Sequence, residues 1–197
     1  MNHITKAIDI FGKRYIDDSV VVQWLPQILY PYAPKTPIEL TVFSARMVGP
    51  GVLEEKFKRD KVLGRAEGIK FNQGRKIGNT YDSHRLIHLA GKKSAATQSA
   101  VVRMLFEGHL EGGESPSSHD FLTDVAVKSG IERSEAAAWM ESNVGGAEVE
   151  DKIRAASAKG IRGVPHVTIQ EIYPVGSNYD SLSLLTIFER IRGEGFA

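Results

Sequence analysis

The chain contains no cysteine. That absence removes disulfides, thiolate nucleophiles, Cys-based metal sites and dithiol redox chemistry together, because the thiolate is the reacting species in each. An excess of one charge is also lacking. The 25 basic and 24 acidic side chains nearly cancel, so nothing implies a polyanion partner such as nucleic acid. No stretch approaches the roughly 20 apolar residues of a membrane span, and "MNHITKAIDIFGKRYIDDS" at the N-terminus lacks the uninterrupted apolar core of a signal peptide. A cytoplasmic protein without membrane association is expected. What is present has globular proportions: 197 residues, 42% hydrophobic and 25% charged, enough for one domain with a subdomain.

Ile4, Ala7, Ile8 and Phe11 are spaced like one helical face, so a helix opens the chain. "VVVQWLPQIL" (20–29) is a β-branched run stopped near Pro26 and predicts a strand over 20–24; "YPYAPKTP" (30–37) is a proline-dense loop. A short helix fits 52–66, followed by a strand-like or loop segment with turn residues, "IKFNQGRKIGNT" (69–80). From 80 to 160 the pattern is helical. "YDSHRLIHLAGKK" should end at Gly91. "TQSAVVRMLFEGHL" puts Val101, Val102, Leu105 and Phe106 on one face. "SSHDFLTDVAVKSG" has serine caps and closes at Gly130, "SEAAAWMES" is capped by Ser134, and "GAEVEDKIRAASAKG" closes at Gly160. A strand pair follows, then a last helix with Asp180 as its cap.

"GVPHVTI" (163–169) poses a question, because a proline damages the strand it leads into unless it occupies an edge, first position or bulge. Helix, "Gly-Val-Pro" strand, hairpin and helix is the order of the second half of a thioredoxin fold, where a cis peptide precedes the proline. Together with "VVVQWLPQILYPYAP" and "GNTYDSHRLIHLA", this segment resembles the DsbA-like thioredoxin-fold proteins, in the branch holding FrnE-type oxidoreductases, 2-hydroxychromene-2-carboxylate isomerases and kappa-class glutathione transferases. The resemblance implies an α/β, DsbA-type thioredoxin-like fold, with a core over 1–75 and 160–197 and an all-helical insertion over 76–159.

The departures from that family are as informative. Its redox members begin with a strand and a Cys-x-x-Cys helix start; here the chain begins inside the first helix, with strand, active-site loop and both cysteines missing, so thiol–disulfide exchange is not expected. That strand sits centrally in the thioredoxin sheet. Its loss leaves edges on 20–24 and 164–169, which either pair with each other or favour a homodimer; a truncated gene product is a further alternative.

The remaining candidates for chemistry are histidines and their neighbours. His166, after the proline, would line the family's substrate groove and serve as general acid or base, with the exposed backbone of Val164 and Pro165 beside it. His84 and His88 are four apart, but Asp82 is on the wrong side of the helix to be a third ligand, so no metal is expected. By the family pattern, Asn79, His84 and Arg85 border the cleft and hold an anionic or carbonyl-bearing ligand. Trp24 and Tyr30, with Tyr32, would wall an aromatic pocket, and Tyr173 would face the same groove. His109 reads as core and His119 as solvated. The expected function is therefore a non-redox small-molecule enzyme, a cofactor-independent isomerase, cyclase or dehydratase of specialised metabolism with His166 and His84 as catalytic residues and an apolar or aromatic substrate. The alternatives are a degenerate thioredoxin-like binding protein and a glutathione-dependent isomerase or transferase.

Overall fold

Helical faces set the architecture. In the computed structural model of the protein, which describes residues 1–48, 50–176 and 179–195, the first apolar stripe forms α1 (Asn2–Arg14), with Ala7 and Phe11 buried. After a loop come β1 (Ile38–Glu39), α2 (Leu40–Val48), α3 (Pro50–Ala66) and β2 (Lys76–Ile77). The helical stretch resolves into α4 (Tyr81–Lys93), α5 (Ala95–Leu110), α6 (His119–Lys128), α7 (Arg133–Glu141) and α8 (Gly146–Ala158). The chain closes with β3 (Val167–Ile169), β4 (Tyr173–Val175) and α9 (Ser181–Gly193). Among the described residues two antiparallel pairs make up the sheet structure, with Ile38 opposite Ile77 and Val167 opposite Val175.

These elements fall into two compact units, one formed by Met1–Val22 with Gly160–Ala197 and the other by Gln23–Lys159. In the first, Ala7 and Phe11 of α1 pack with Val175 of β4 and with Leu184, Leu185 and Phe188 of α9. Asp180 caps α9 as expected, accepting from the Ser183 backbone N–H at 2.8 Å while the Ser183 hydroxyl accepts from the Asp180 backbone. In the second, Leu86, Leu89 and Ala90 of α4 meet Val101 and Leu105 of α5, Leu122, Val125 and Ala126 of α6, and Ala136 and Met140 of α7. This four-helix core positions the site described below.

Several expectations need correction. Residues 20–24 form no strand: among the described residues no neighbouring strand lies alongside to share a ladder. Trp24 is held instead by a side chain, with its N–H donating to Gln98 Oε1 at 2.9 Å and its carbonyl accepting from Gln98 Nε2 at 3.1 Å. A carboxamide carries the same donor and acceptor as a peptide group, so Gln98 does for one residue what a strand would do for several.

Helix α4 does not end at Gly91 but runs to Lys93. That glycine serves a close approach, since a Cβ there would sit 2.7 Å from Gln98 Nε2. Ser94 terminates α4 and caps α5, accepting from the Thr97 N–H. On α5, Val101, Val102 and Leu105 are buried but Phe106 is 49% exposed; Gln98 takes its place on the inner face. Ser134 lies inside α7, whose cap position is Glu132. The strand after Pro165 is shorter than expected, beginning at Val167, whereas the Val164–Pro165 peptide is cis.

Candidate functional site

Helix ends create the chemistry of the second unit. The last carbonyls of a helix have no intrahelical partner, and at the end of α7 one buried side chain from α4 answers them. Arg85, 2% exposed, donates through Nη2 to the carbonyls of Trp139 (2.6 Å) and Ser142 (2.7 Å) and through Nε and Nη2 to that of Val144. Its remaining arm, Nη1, reaches Asp82 Oδ1 one turn earlier on α4, at 2.7 Å. The other oxygen of Asp82, Oδ2, lies 2.9 Å from His119 Nε2 at the first residue of α6. The two helices are tied nearby by the Ser83 hydroxyl, which donates to the Pro116 carbonyl.

The electrostatics of this chain are directional. Burial works to raise the Asp82 carboxyl, but hydrogen bonds from Arg85 and His119 outweigh it and hold the group below the usual aspartate range. An ionised carboxylate only accepts, so His119 Nε2 carries a proton in this contact. An Asp–His pair of this kind orients an imidazole as a base. The pair lies in a cleft of about 540 Å³ whose other walls include Lys35, Asn79, Tyr81 and Ser117, with Ile28, Pro31 and Met140 supplying apolar surface. A second depression, of about 470 Å³, shares His119 and Met140 with it.

Of the residues singled out by sequence, Asn79 and Arg85 line this cleft. Asn79 Oδ1 accepts from the Tyr81 N–H at 2.9 Å and starts α4. Arg85 spends its donors on protein groups. His84 does not line the cleft; burial lowers its pKa to about 4, against a hydrogen bond to the Gln27 backbone that works the other way. Its neighbour on that face, His88, accepts from Lys152 Nζ at 3.1 Å. Trp24 donates its indole N–H to the Ser99 hydroxyl at 3.1 Å, Tyr30 stacks edge-on against Phe43 with ring centroids 5.4 Å apart, and Tyr32 is 97% exposed.

Val164, Pro165, His166 and Tyr173 belong to the first unit. The first three are exposed, and the Tyr173 hydroxyl donates to Glu194 Oε2 at 2.7 Å, beneath Arg190. His109 is tied to the Glu114 carbonyl at 2.9 Å. His119 is half exposed, in keeping with its reading as solvated, and what the sequence did not disclose is its pairing with Asp82. The Asp82–Arg85 spacing of three along a helix was available as a signal; the link across 37 positions was not.

Comparison with known proteins adds the lineage. Residues 10–184 match the family described as DSBA-like thioredoxin domain. Among solved structures, a probable DsbA oxidoreductase from Streptomyces coelicolor superposes with a TM-score of 0.80 at 23% identity, covering 98% of this chain and 82% of its own. No curated protein matches the sequence.

Proposed function

The chain belongs to the DSBA-like thioredoxin domain family, and from that premise we propose that it is a non-redox member, an acid–base enzyme of the isomerase, cyclase or dehydratase type acting on a small apolar or aromatic molecule. The sequence holds no thiol, which argues against dithiol exchange. The observation that carries the reading is the Asp82–His119 pair, its carboxylate fixed by a buried arginine and its imidazole at a cleft.

In the simplest reaction His119 Nδ1 takes a proton from carbon next to a carbonyl. The C–H electron pair moves into the carbonyl as an enolate, Asp82 balances the imidazolium, and in a substrate with a double bond next to that carbon the same proton returns to the far carbon of the resulting dienolate, shifting the double bond. Nothing is oxidised or reduced, and no cofactor is required. The setting we favour is specialised metabolism in the cytoplasm, with the chain as a homodimer.

One observation favours a second reading. The backbone N–H and C=O of Val164, before the cis peptide, have no partner among the described residues. A peptide-like molecule such as glutathione would pair there, with His166 beside it.

Deuterium exchange separates the two. Aryl ketones incubated with the protein in D2O should gain deuterium next to the carbonyl, followed by proton NMR, and His119→Ala should slow this by about 10²–10⁴-fold. Exchange no faster than buffer, or unaffected by His119→Ala, removes the proposal. Heat on titration with reduced glutathione, lost in His166→Ala, would install the second reading.

A further inference from the structure

We propose that Lys35 selects the substrate of this cleft, and that the substrate is a monoanion, a carboxylate carried on an apolar body. The inference rests on the reading of Asp82 and His119 as the reacting pair. It starts from the charges that line the cleft. Besides His119 these are Lys35, Asp82 and Arg85. Arg85 and Asp82 neutralise one another at 2.7 Å, and the guanidinium is otherwise enclosed by three backbone carbonyls. The role that the sequence pattern gives to Arg85, holding an anion, is closed to it by this arrangement. Lys35 is left as the cation of the cleft. It is exposed, and its ammonium has no acceptor among the described residues.

Lys35 is also held in place. The Asn79 N–H donates to the Pro34 carbonyl at 2.9 Å, and Asn79 Nδ2 reaches the Pro31 carbonyl at 3.4 Å. From the other side the Ser117 hydroxyl donates to the carbonyl of Lys35 itself at 3.3 Å. Asn79 stands three residues before Asp82, and Ser117 two before His119. The segment 31–35 is thus clamped by the two stretches of chain that deliver the reacting pair, and Lys35 is fixed relative to both. One ammonium matches one negative charge. As a compact point charge it asks for no bidentate geometry, and the Ile28, Pro31 and Met140 walls suit an apolar remainder. A carboxylate anchored at Lys35 leaves the body of the molecule to extend toward His119 Nδ1.

Benzoate and benzamide share shape and differ in charge, which makes them the probes. Calorimetric titration of the wild-type protein at low salt should show benzoate binding at least tenfold more tightly than benzamide. Lys35→Met should abolish that preference, Lys35→Arg should retain it, and amide shifts in NMR should map the contact to residues 35, 79 and 119. Lys35 is exposed and supports no packing, so both variants should fold. Equal affinities for the two probes, no benzoate binding, or an undiminished preference in Lys35→Met each overturns the proposal. His119→Ala separates this inference from the reading beneath it: charge selection that persists while no protein form catalyses exchange in D2O would sink the acid–base function and leave Lys35 standing.

Discussion

Gln98 and Trp24 are joined by two opposed hydrogen bonds, the side chain of one matching the backbone of the other, N–H to Oε1 at 2.9 Å and Nε2 to O at 3.1 Å. Gln98 is 4% exposed and donates a third bond to the Ile87 carbonyl at 3.3 Å. Gln98→Leu should cost about 2 kcal/mol, the sum of bonds worth about 1 kcal/mol each less the gain in apolar burial. Gln98→Glu should cost more, because it buries a charge and loses the donor. Urea unfolding checks both; a Gln98→Leu variant as stable as the parent would show that the segment at Trp24 is held by packing alone.

Arg85 closes the C-terminal end of α7 and fixes Asp82. Arg85→Met removes the buried donor from three carbonyls and from Asp82 Oδ1, leaving Ser142 Oγ on the Trp139 carbonyl and His119 on Asp82 Oδ2, and should destabilise by about 3 kcal/mol or more. Arg85→Lys should recover little, since one ammonium cannot span the fork. Asp82 has a depressed pKa, so its contribution is present above the ordinary value of 3.8 and disappears as pH falls below it. Asp82→Asn should flatten that acid limb in denaturation curves measured from pH 5 to pH 2.

His84 sets a different limb. Its folded pKa of about 4 lies below the ordinary 6.5, so the unfolded chain takes up a proton that the folded one refuses. Stability from this group is full above 6.5 and is lost as pH falls from there toward 4. The loss should reach roughly 2–3 kcal/mol. His84→Gln, which keeps a donor for the Gln27 carbonyl, should remove most of the difference between urea midpoints at pH 7 and pH 4.5. An unchanged difference would place the acid sensitivity elsewhere.

The hairpin between β3 and β4 turns through Gln170 and Glu171, at φ 53° and 58°, with the Ile172 N–H donating to the Ile169 carbonyl at 3.2 Å. Each residue sits where an L side chain costs about 1–2 kcal/mol. Glu171→Gly relieves that cost and adds about 0.5–1 kcal/mol of unfolded-chain entropy, for a net gain of up to about 1 kcal/mol. A rise of a few degrees in Tm is expected, whereas Glu171→Ala should gain nothing.

The cap of α9 and the apolar stripe of α1 were legible because each is local: Asp180 and Ser183 are neighbours, and Ala7 and Phe11 share a face at helical spacing. Gly91 misled because a glycine late in a helix reads as a stop, while here it makes room for a side chain from the next helix. The run at 20–24 misled because β-branching reports what suits a strand and carries no information about whether a partner is at hand. The cis peptide at Pro165 was readable from the order of elements around it. The Asp82–His119 contact was not, because it depends on how α4 and α6 cross, and no periodicity encodes that.

The first unit is discontinuous, its two segments separated by everything from residue 23 to residue 159. During synthesis α1 therefore emerges long before α9, and Phe11 has no Phe188 to meet until the chain is nearly finished. The second unit can assemble meanwhile from helices that adjoin in sequence, α4 with α5 and α6 with α7. Once folded, it replaces a long flexible loop with a short effective one, lowering the entropy of closure for the ends. A destabilised second unit would then reveal itself first as slow docking of α9.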